Sequence, residues 1–214
     1  MIPMTDEQTR RIDALRAAVG ARLSPPRFAH TLGVEKTAVS LGEIFLPDRL
    51  FSLSAAALLH DIAKELPIDR QRDLAQRSGL LDDPSDFLCR ALYHAYAAVS
   101  LIRAEFPDFA TDEILSAVAK HTVGAPDMSV ADEIIFLSDY IEPTRTYPDC
   151  VAVRDDFFSQ MEQATNPDGE LLALHRAALR SMDLTLEKLI RSDKYIGAGL
   201  ISSRNSLLAR IFPT

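Results

Sequence analysis

The sequence predicts an all-α fold, a single helical bundle, on three observations. Helix start and stop signals follow one another along the whole chain. No stretch alternates polar and apolar residues at the period of a strand, and no repeat or low-complexity linker interrupts the pattern. The 214 residues are 47% hydrophobic, with eight glycines and no tryptophan, which suits Ala- and Leu-rich helices and one sizeable core.

The elements follow in order. Thr5 and Gln8 form a capping-box pattern ahead of a helix that reaches Leu23. Ser24 and Pro25 open a second, running to Phe45, with proline suited to a first turn. A third covers Leu50 to Lys64 and stops before Pro67. Asp69 to Ser78 reads as a short helix with Gly79 as its C-terminal signal. A long helix from Ser85 to Phe106 is bounded by Pro84 and Pro107, and another starts at Thr111 and breaks at Gly124-Ala125-Pro126. Ser129 with Asp132 caps a helix that Pro143 ends. Two longer helices follow, around 151–164 and 169–190, and Ser202 to Phe212 closes the chain after the Gly197/Gly199 turn. The expected organisation is one domain over 1–214, with a core at about 24–145 and C-terminal helices at about 149–214 packed on it.

Charge and cysteine usage narrow the function. A net charge of −8 and a pI near 5.1 argue against a nucleic-acid backbone or an anionic membrane as partner. An anionic small molecule stays open, because a bound cation inverts the local field. Cys89 and Cys150 form neither a metal-ligand spacing nor a disulfide framework, so two reduced thiols are expected. The opening "MIPMTDEQTRRIDALR" has no apolar signal core, and no stretch approaches the ~18 apolar residues of a membrane span. The expected setting is cytoplasmic.

The chemistry lies in the histidines. A lone His-Asp doublet is common and a lone histidine is ordinarily a hydrogen-bonded structural residue. Placement changes the reading. His30, the pair His60-Asp61, His94, His121 and Asp139 each sit in an Ala/Leu/Val/Ile-rich helical stretch, where an unpaired polar group is costly to bury. Neutral imidazoles and carboxylates partner metals, and five separate helices can bring them together only in the middle of a bundle. Neighbouring side chains on a helix diverge by about 100°, so His60 and Asp61 do not face one ion together. Two ions remove the difficulty, with Asp61 as the bridge. The first then takes His30, His60, Asp61 and Asp139, and the second takes Asp61, His94 and His121. With no thiolate in a mixed nitrogen and oxygen set, iron or manganese fits better than structural zinc. His175 falls outside the series and reads as an ordinary helix histidine.

The segments "RFAHTLGV", "AALLHDIAK", "HTVGAPDMSVADEIIFLSDYIEPTR" and "SSRN" resemble the HD-domain superfamily of metal-dependent phosphohydrolases. Within it they are most similar to the bacterial YqeK-type symmetrical diadenosine-tetraphosphate hydrolases. The likeness spans about Arg27 to Asn205, and its HTxG, Met-Ser and DYIEPxR elements are far more specific than the doublet. Ser138 and Tyr93 depart from the pattern, where alanine and tryptophan are usual. The resemblance implies an HD-type bundle with the metal site in its core. It also implies cleavage of diadenosine tetraphosphate into two ADP, iron as the metal, and the same six residues as ligands.

Asp61 as bridge and Lys64 as phosphate donor are the expected catalytic groups. Lys64 lies three residues beyond Asp61, where a helix-end lysine is otherwise simply solvated. Arg27 and Arg145 offer planar forks for phosphate, although Arg145 could serve as a tie to Glu142, and Thr122 offers a hydroxyl or merely ends its helix. Expected partners are a dinucleoside polyphosphate and its ADP product, with no nucleic acid and no membrane. Exposed apolar positions in the last two helices permit a homodimer. Other HD proteins fit less well. The chain lacks the Gly-Tyr-Pro stretch of the cyclic-dinucleotide phosphodiesterases and the paired acidic residues of the alarmone hydrolases. A non-catalytic nucleotide sensor would have lost ligands, and here the set of six is complete.

Overall fold

The computed structural model describes residues 4–81, 84 and 86–212. Ten α-helices and three single 3₁₀ turns make up the regular structure among them, with no strand. Helix α1 (Asp6–Gly20) begins at the expected capping box: the Thr5 hydroxyl accepts from the Gln8 N–H, and the Gln8 side chain accepts from the Thr5 N–H. Helix α2 (Pro25–Phe45) follows directly. Ser24 does not cap it. Its hydroxyl and N–H both donate to the Glu65 carboxylate, at 2.5 and 2.7 Å, pinning the α2 entrance to the segment after the His-Asp pair.

Helix α3 (Leu50–Leu59) is shorter than the sequence suggests. It ends before His60, and residues 60–65 run in tight turns with N–H to C=O bonds three residues apart, such as Lys64 to Asp61 at 2.9 Å. The cause is local. The His60 ring donates from Nδ1 to the Ala57 carbonyl at 2.6 Å, the oxygen that a continuing helix would offer to the next N–H. The body of α3 is buried all round, with Leu53, Leu58 and Leu59 almost fully out of water. Each such leucine contributes about 1.5–3 kcal/mol of burial. This is the central helix of the bundle.

Helix α4 (Ile68–Ser78) stops at Gly79, whose φ of 75° needs a glycine. The next helix also differs from expectation. Two 3₁₀ turns, Asp86–Leu88 and Arg90–Leu92, come first, and α5 (Tyr93–Glu105) begins only afterwards. Ser85, the expected start, lies outside the described residues. Cys89 interrupts with non-helical φ and ψ of −92° and 81°, and the Tyr93 hydroxyl takes the Phe87 carbonyl at 2.6 Å. Helix α6 (Asp112–Lys120) is capped by Thr111, and α7 (Val130–Ile141) by the Ser129–Asp132 box. Helices α8 (Pro148–Gln163), α9 (Pro167–Arg191) and α10 (Ala198–Ile211) complete the chain.

Helices α1, α2, α3, α5, α6 and α7 share the main core, to which α4, α8 and α9 add Leu74, Phe157 and Leu174. A second cluster joins Leu92, Val123 and Phe136 to Met182 of α9 and Leu200 of α10. His175 belongs to this architecture and not to the metal cluster. Its Nδ1 lies 2.6 Å from the Glu133 carboxylate, which also accepts from Arg210 at 2.9 Å, so a fully buried acid ties α7, α9 and α10 together. Cys89 and Cys150 are both free and buried, and burial pushes both thiols up. No helix among the described residues is long and apolar enough to cross a membrane.

Candidate metal centre

Five helices deliver six side chains to one point. Helix α2 supplies His30, the turns after α3 supply His60 and Asp61, the first turn of α5 supplies His94, the end of α6 supplies His121, and α7 supplies Asp139. Asp61 is buried in the middle. Its Oδ2 lies 3.5 Å from His60 Nε2 and 3.9 Å from His30 Nε2. Its Oδ1 faces the other way, 3.3 Å from His94 Nε2 and 3.8 Å from His121 Nε2. Asp139 Oδ1 closes the first set, 3.0 Å from His30 Nε2 and 3.9 Å from His60 Nε2. The His94 and His121 Nε2 atoms, 3.0 Å apart, close the second.

Hydrogen bonds behind the rings fix which nitrogen faces inward. His60 Nδ1 and His121 Nδ1 each donate to the carbonyl three residues back, Ala57 and Val118, at 2.6 Å. His30 Nδ1 donates to Glu142 Oε1 at 3.0 Å. In each ring Nδ1 carries the proton, so Nε2 presents a lone pair to Asp61 or Asp139. His60 and His121 are C-caps of their helices, and the ring-to-carbonyl bond that ends the helix also aims the ring.

These residues fit a cation. His30 Nε2, His60 Nε2 and Asp61 Oδ1 are buried and have no hydrogen-bond partner. Buried lone pairs facing one another without a proton between them are rare in folded proteins. Nitrogen and oxygen ligands sit about 2.0–2.2 Å from a metal such as zinc, which places neighbouring ligands roughly 3 Å apart. The ligand atoms of His30, His60 and Asp139, and those of His60, Asp61 and His121, form two groups compact enough for an ion.

Electrostatics leave most of the donors in metal-binding form. Burial drives the His94 and His121 imidazoles down, helped by the Lys64 ammonium at His94 and by His60 at His121, which falls to about 4. Burial also pulls His60 down, but Asp61 beside it outweighs burial and raises it. Burial favours the neutral acid at Asp61 and Asp139, yet both are held well below the carboxylate range, Asp61 by His60 and Lys64, Asp139 by His30 and Arg145. Metal-stripped protein should therefore lose stability on acidification. With His94 and His121 depressed, the unfolded chain binds more protons than the folded one between about pH 6.5 and 4, so stability falls as pH falls through that window. His60 works the opposite way, as one ring against two. The drop at His121 alone corresponds to about 3 kcal/mol. Urea midpoints at about pH 7 and pH 4.5 check this; equal midpoints would mean that the two rings protonate freely in the folded state.

All four expected phosphate contacts reach the cluster. Arg27 Nη1 is 2.8 Å from Asp61 Oδ2, and Lys64 Nζ is 3.7 Å from Asp61 Oδ1 and 3.0 Å from His94 Nε2. The Thr122 hydroxyl is 3.2 Å from His121 Nε2 and 3.3 Å from His94 Nε2. Arg145 donates to Asp139 Oδ1 at 2.5 Å and to the Asp139 carbonyl at 2.9 Å. Its side chain does not form the alternative tie to Glu142, which it meets only through its backbone N–H. A hollow of about 390 Å³ opens beside the cluster between Arg27, His30, Arg145 and Tyr147.

Sequence reasoning gives Glu142 nothing beyond that tie, yet it is the residue that aims His30. Its carboxylate also accepts from the Thr144 N–H and hydroxyl, both at 2.6 Å, and the 142–145 turn is held by Arg154. The available signal is the glycine of "HTLG", since a Cβ at Gly33 would collide with the Glu142 carboxylate. Glu142→Gln should weaken metal binding about 10- to 100-fold by loosening His30, with helicity unchanged. A metal titration followed by circular dichroism checks it, and wild-type affinity would remove Glu142 from the site.

The chain is similar to known proteins over much of its length. Residues 27–144 match the HD domain family. A symmetrical bis(5'-nucleosyl)-tetraphosphatase of Halalkalibacterium halodurans is 30% identical over 89% of this chain and 93% of its own. Its counterpart in Bacillus subtilis is 33% identical over 69% of this chain and 78% of its own. A crystal structure from Clostridium acetobutylicum, described as a predicted HD superfamily hydrolase involved in NAD metabolism, covers 92% of this chain and 97% of its own at 28% identity, with a TM-score of 0.78.

Proposed function

The chain belongs to the HD-domain family, alongside the symmetrical bis(5'-nucleosyl)-tetraphosphatases, and from that premise we propose that it is a metal-dependent hydrolase cleaving diadenosine tetraphosphate into two ADP. The observation that carries the reading is Asp61, whose two oxygens face two different sets of imidazoles. Two ions, with iron as the metal, would be held by His30, His60, Asp61 and Asp139 on one side and by Asp61, His94 and His121 on the other. Iron suits this thiolate-free set of nitrogen and oxygen donors. When bound, such cations polarise phosphoryl oxygens and bring the pKa of a water down from ~15.7 towards neutrality. The proposed organisation is one domain, with the core at about 24–145 carrying the site and the helices from about 149 buttressing it.

The chain's own groups then do the positioning. Lys64, Arg27 and Arg145 gather the charge of the polyphosphate, and Thr122 offers a hydroxyl to a phosphoryl oxygen. Asp139 accepts from Arg145 and so holds it beside the cluster, and Glu142 keeps His30 in place. The global charge of −8 does not oppose an anionic substrate, because bound cations would invert the local field. The test is a panel of dinucleoside polyphosphates given to metal-quantified protein, with products resolved by chromatography. Diadenosine tetraphosphate should be consumed, activity should vanish on chelation, and ferrous iron should restore it. Fully metallated protein that turns over none of the panel would refute the hydrolase reading.

A further inference from the structure

A second hollow adjoins the centre that neither the ligands nor the phosphate contacts account for. It measures about 470 Å³, in the range of small-molecule sites (about 300–1,000 Å³). Val123, Leu189 and Leu200 give it apolar walls, and Arg90, Thr185 and Lys194 line it beside them. Thr122 joins it to the centre, since this residue lines the hollow and its hydroxyl lies against the His94 and His121 rings. Leu88 and Tyr195 border it while remaining 51% and 64% exposed. Asp193, also on its border, holds a φ of 49°, the left-handed region where a helix end normally places glycine. The polar hollow of Arg27 and Arg145 meets the cluster from the His30–Asp139 end instead.

We propose that the apolar hollow is a nucleoside seat, taking the base and ribose of one half of the substrate. The inference rests on the hydrolase reading and adds where a base binds. A purine has two apolar faces that stack on aromatic and aliphatic side chains, and the Arg90, Lys194 and Thr185 groups that share this lining suit its ribose hydroxyls and first phosphate. The nucleoside therefore lies in the apolar hollow and its phosphates lead out past Thr122 towards Asp61. The other half continues to Arg27 and Arg145. The two ends differ in chemistry, one with aliphatic walls and one lined mainly by polar and charged side chains, and a symmetrical dinucleotide can enter either way round.

The test uses the full, metal-loaded chain with Tyr195→Ala, Leu88→Ala and Tyr195→Phe, all at exposed positions that the fold does not depend on. Two quantities are read: kcat and KM for diadenosine tetraphosphate, and ADP affinity by equilibrium titration. Each alanine variant should raise KM and weaken ADP binding roughly ten-fold, the scale of losing one stacked base. The kcat should hold within about two-fold, because the lost contact is made equally in the bound and reacting states. Tyr195→Phe should match wild type, since the ring remains. Unchanged KM and ADP affinity in both alanine variants would overturn the seat. A lowered kcat at unchanged KM would also overturn it. Wild-type protein that binds ADP yet cleaves no dinucleotide would overturn the hydrolase reading instead, and the ADP titrations would still decide the seat.

Discussion

Asp61→Ala should lose both metal ions together and bring turnover to background. Its two carboxylate oxygens face the two sets, Oδ2 towards His30 and His60 and Oδ1 towards His94 and His121. Removing it takes a ligand from each ion at once and leaves four imidazoles crowded without the charge that reconciles them. His121→Ala is the contrast. It touches the Oδ1 side alone, so it should deplete the second ion and spare the first. Elemental analysis of gently purified wild type should approach about two transition-metal ions per chain, as bundle cores with paired sites hold. Full occupancy in Asp61→Ala would contradict the bridge, and circular dichroism on the same samples separates metal loss from unfolding.

The second large effect concerns Lys64 and Arg27. Each replaced by alanine should lower turnover by about 10²–10³ while leaving metal content and helicity intact. Both groups lie against Asp61, Arg27 at 2.8 Å from Oδ2 and Lys64 at 3.7 Å from Oδ1. Beside that carboxylate the guanidinium and the ammonium would meet the charge of a phosphate chain held at the centre. The loss should fall on kcat more than on KM, because the charge they meet grows as the phosphorus–oxygen bond breaks. Near-wild-type turnover in either variant would reduce that residue to a charge partner of Asp61.

Much of this was legible because it depended on local signals. The Thr5–Gln8 and Ser129–Asp132 boxes start α1 and α7, and Gly79 ends α4, since caps and left-handed glycines are encoded within four residues. The polar residues of apolar stretches could be picked out because burial makes them expensive. Hidden from periodicity were the choices a side chain imposes on the backbone. The rings of His60 and His121 take carbonyls and end their helices, so the His60-Asp61 pair sits on a tight turn and not on the regular helix whose 100° spacing first suggested two ions. The Asp86–Leu92 turns likewise keep an apolar pattern while Cys89 breaks the helix. Glu142 was obscured because its partner His30 is 112 residues away. The apolar hollow has no sequence signature at all. It arises where the turns after α6 and α9 meet the turns before α5.

The position of the broken bond tests the central claim most directly. Attack by water on the phosphorus second from one nucleoside releases a nucleoside diphosphate, whose charge is spread over more oxygens than a monophosphate's and can be held by Lys64. Diadenosine tetraphosphate hydrolysed in ¹⁸O-labelled water should therefore yield ADP alone, with a single labelled oxygen in one of the two ADP molecules formed per event, read by mass spectrometry. ATP and AMP as the initial products would mean that the metal centre grips the chain off its middle, and the symmetrical reading of this site would be wrong.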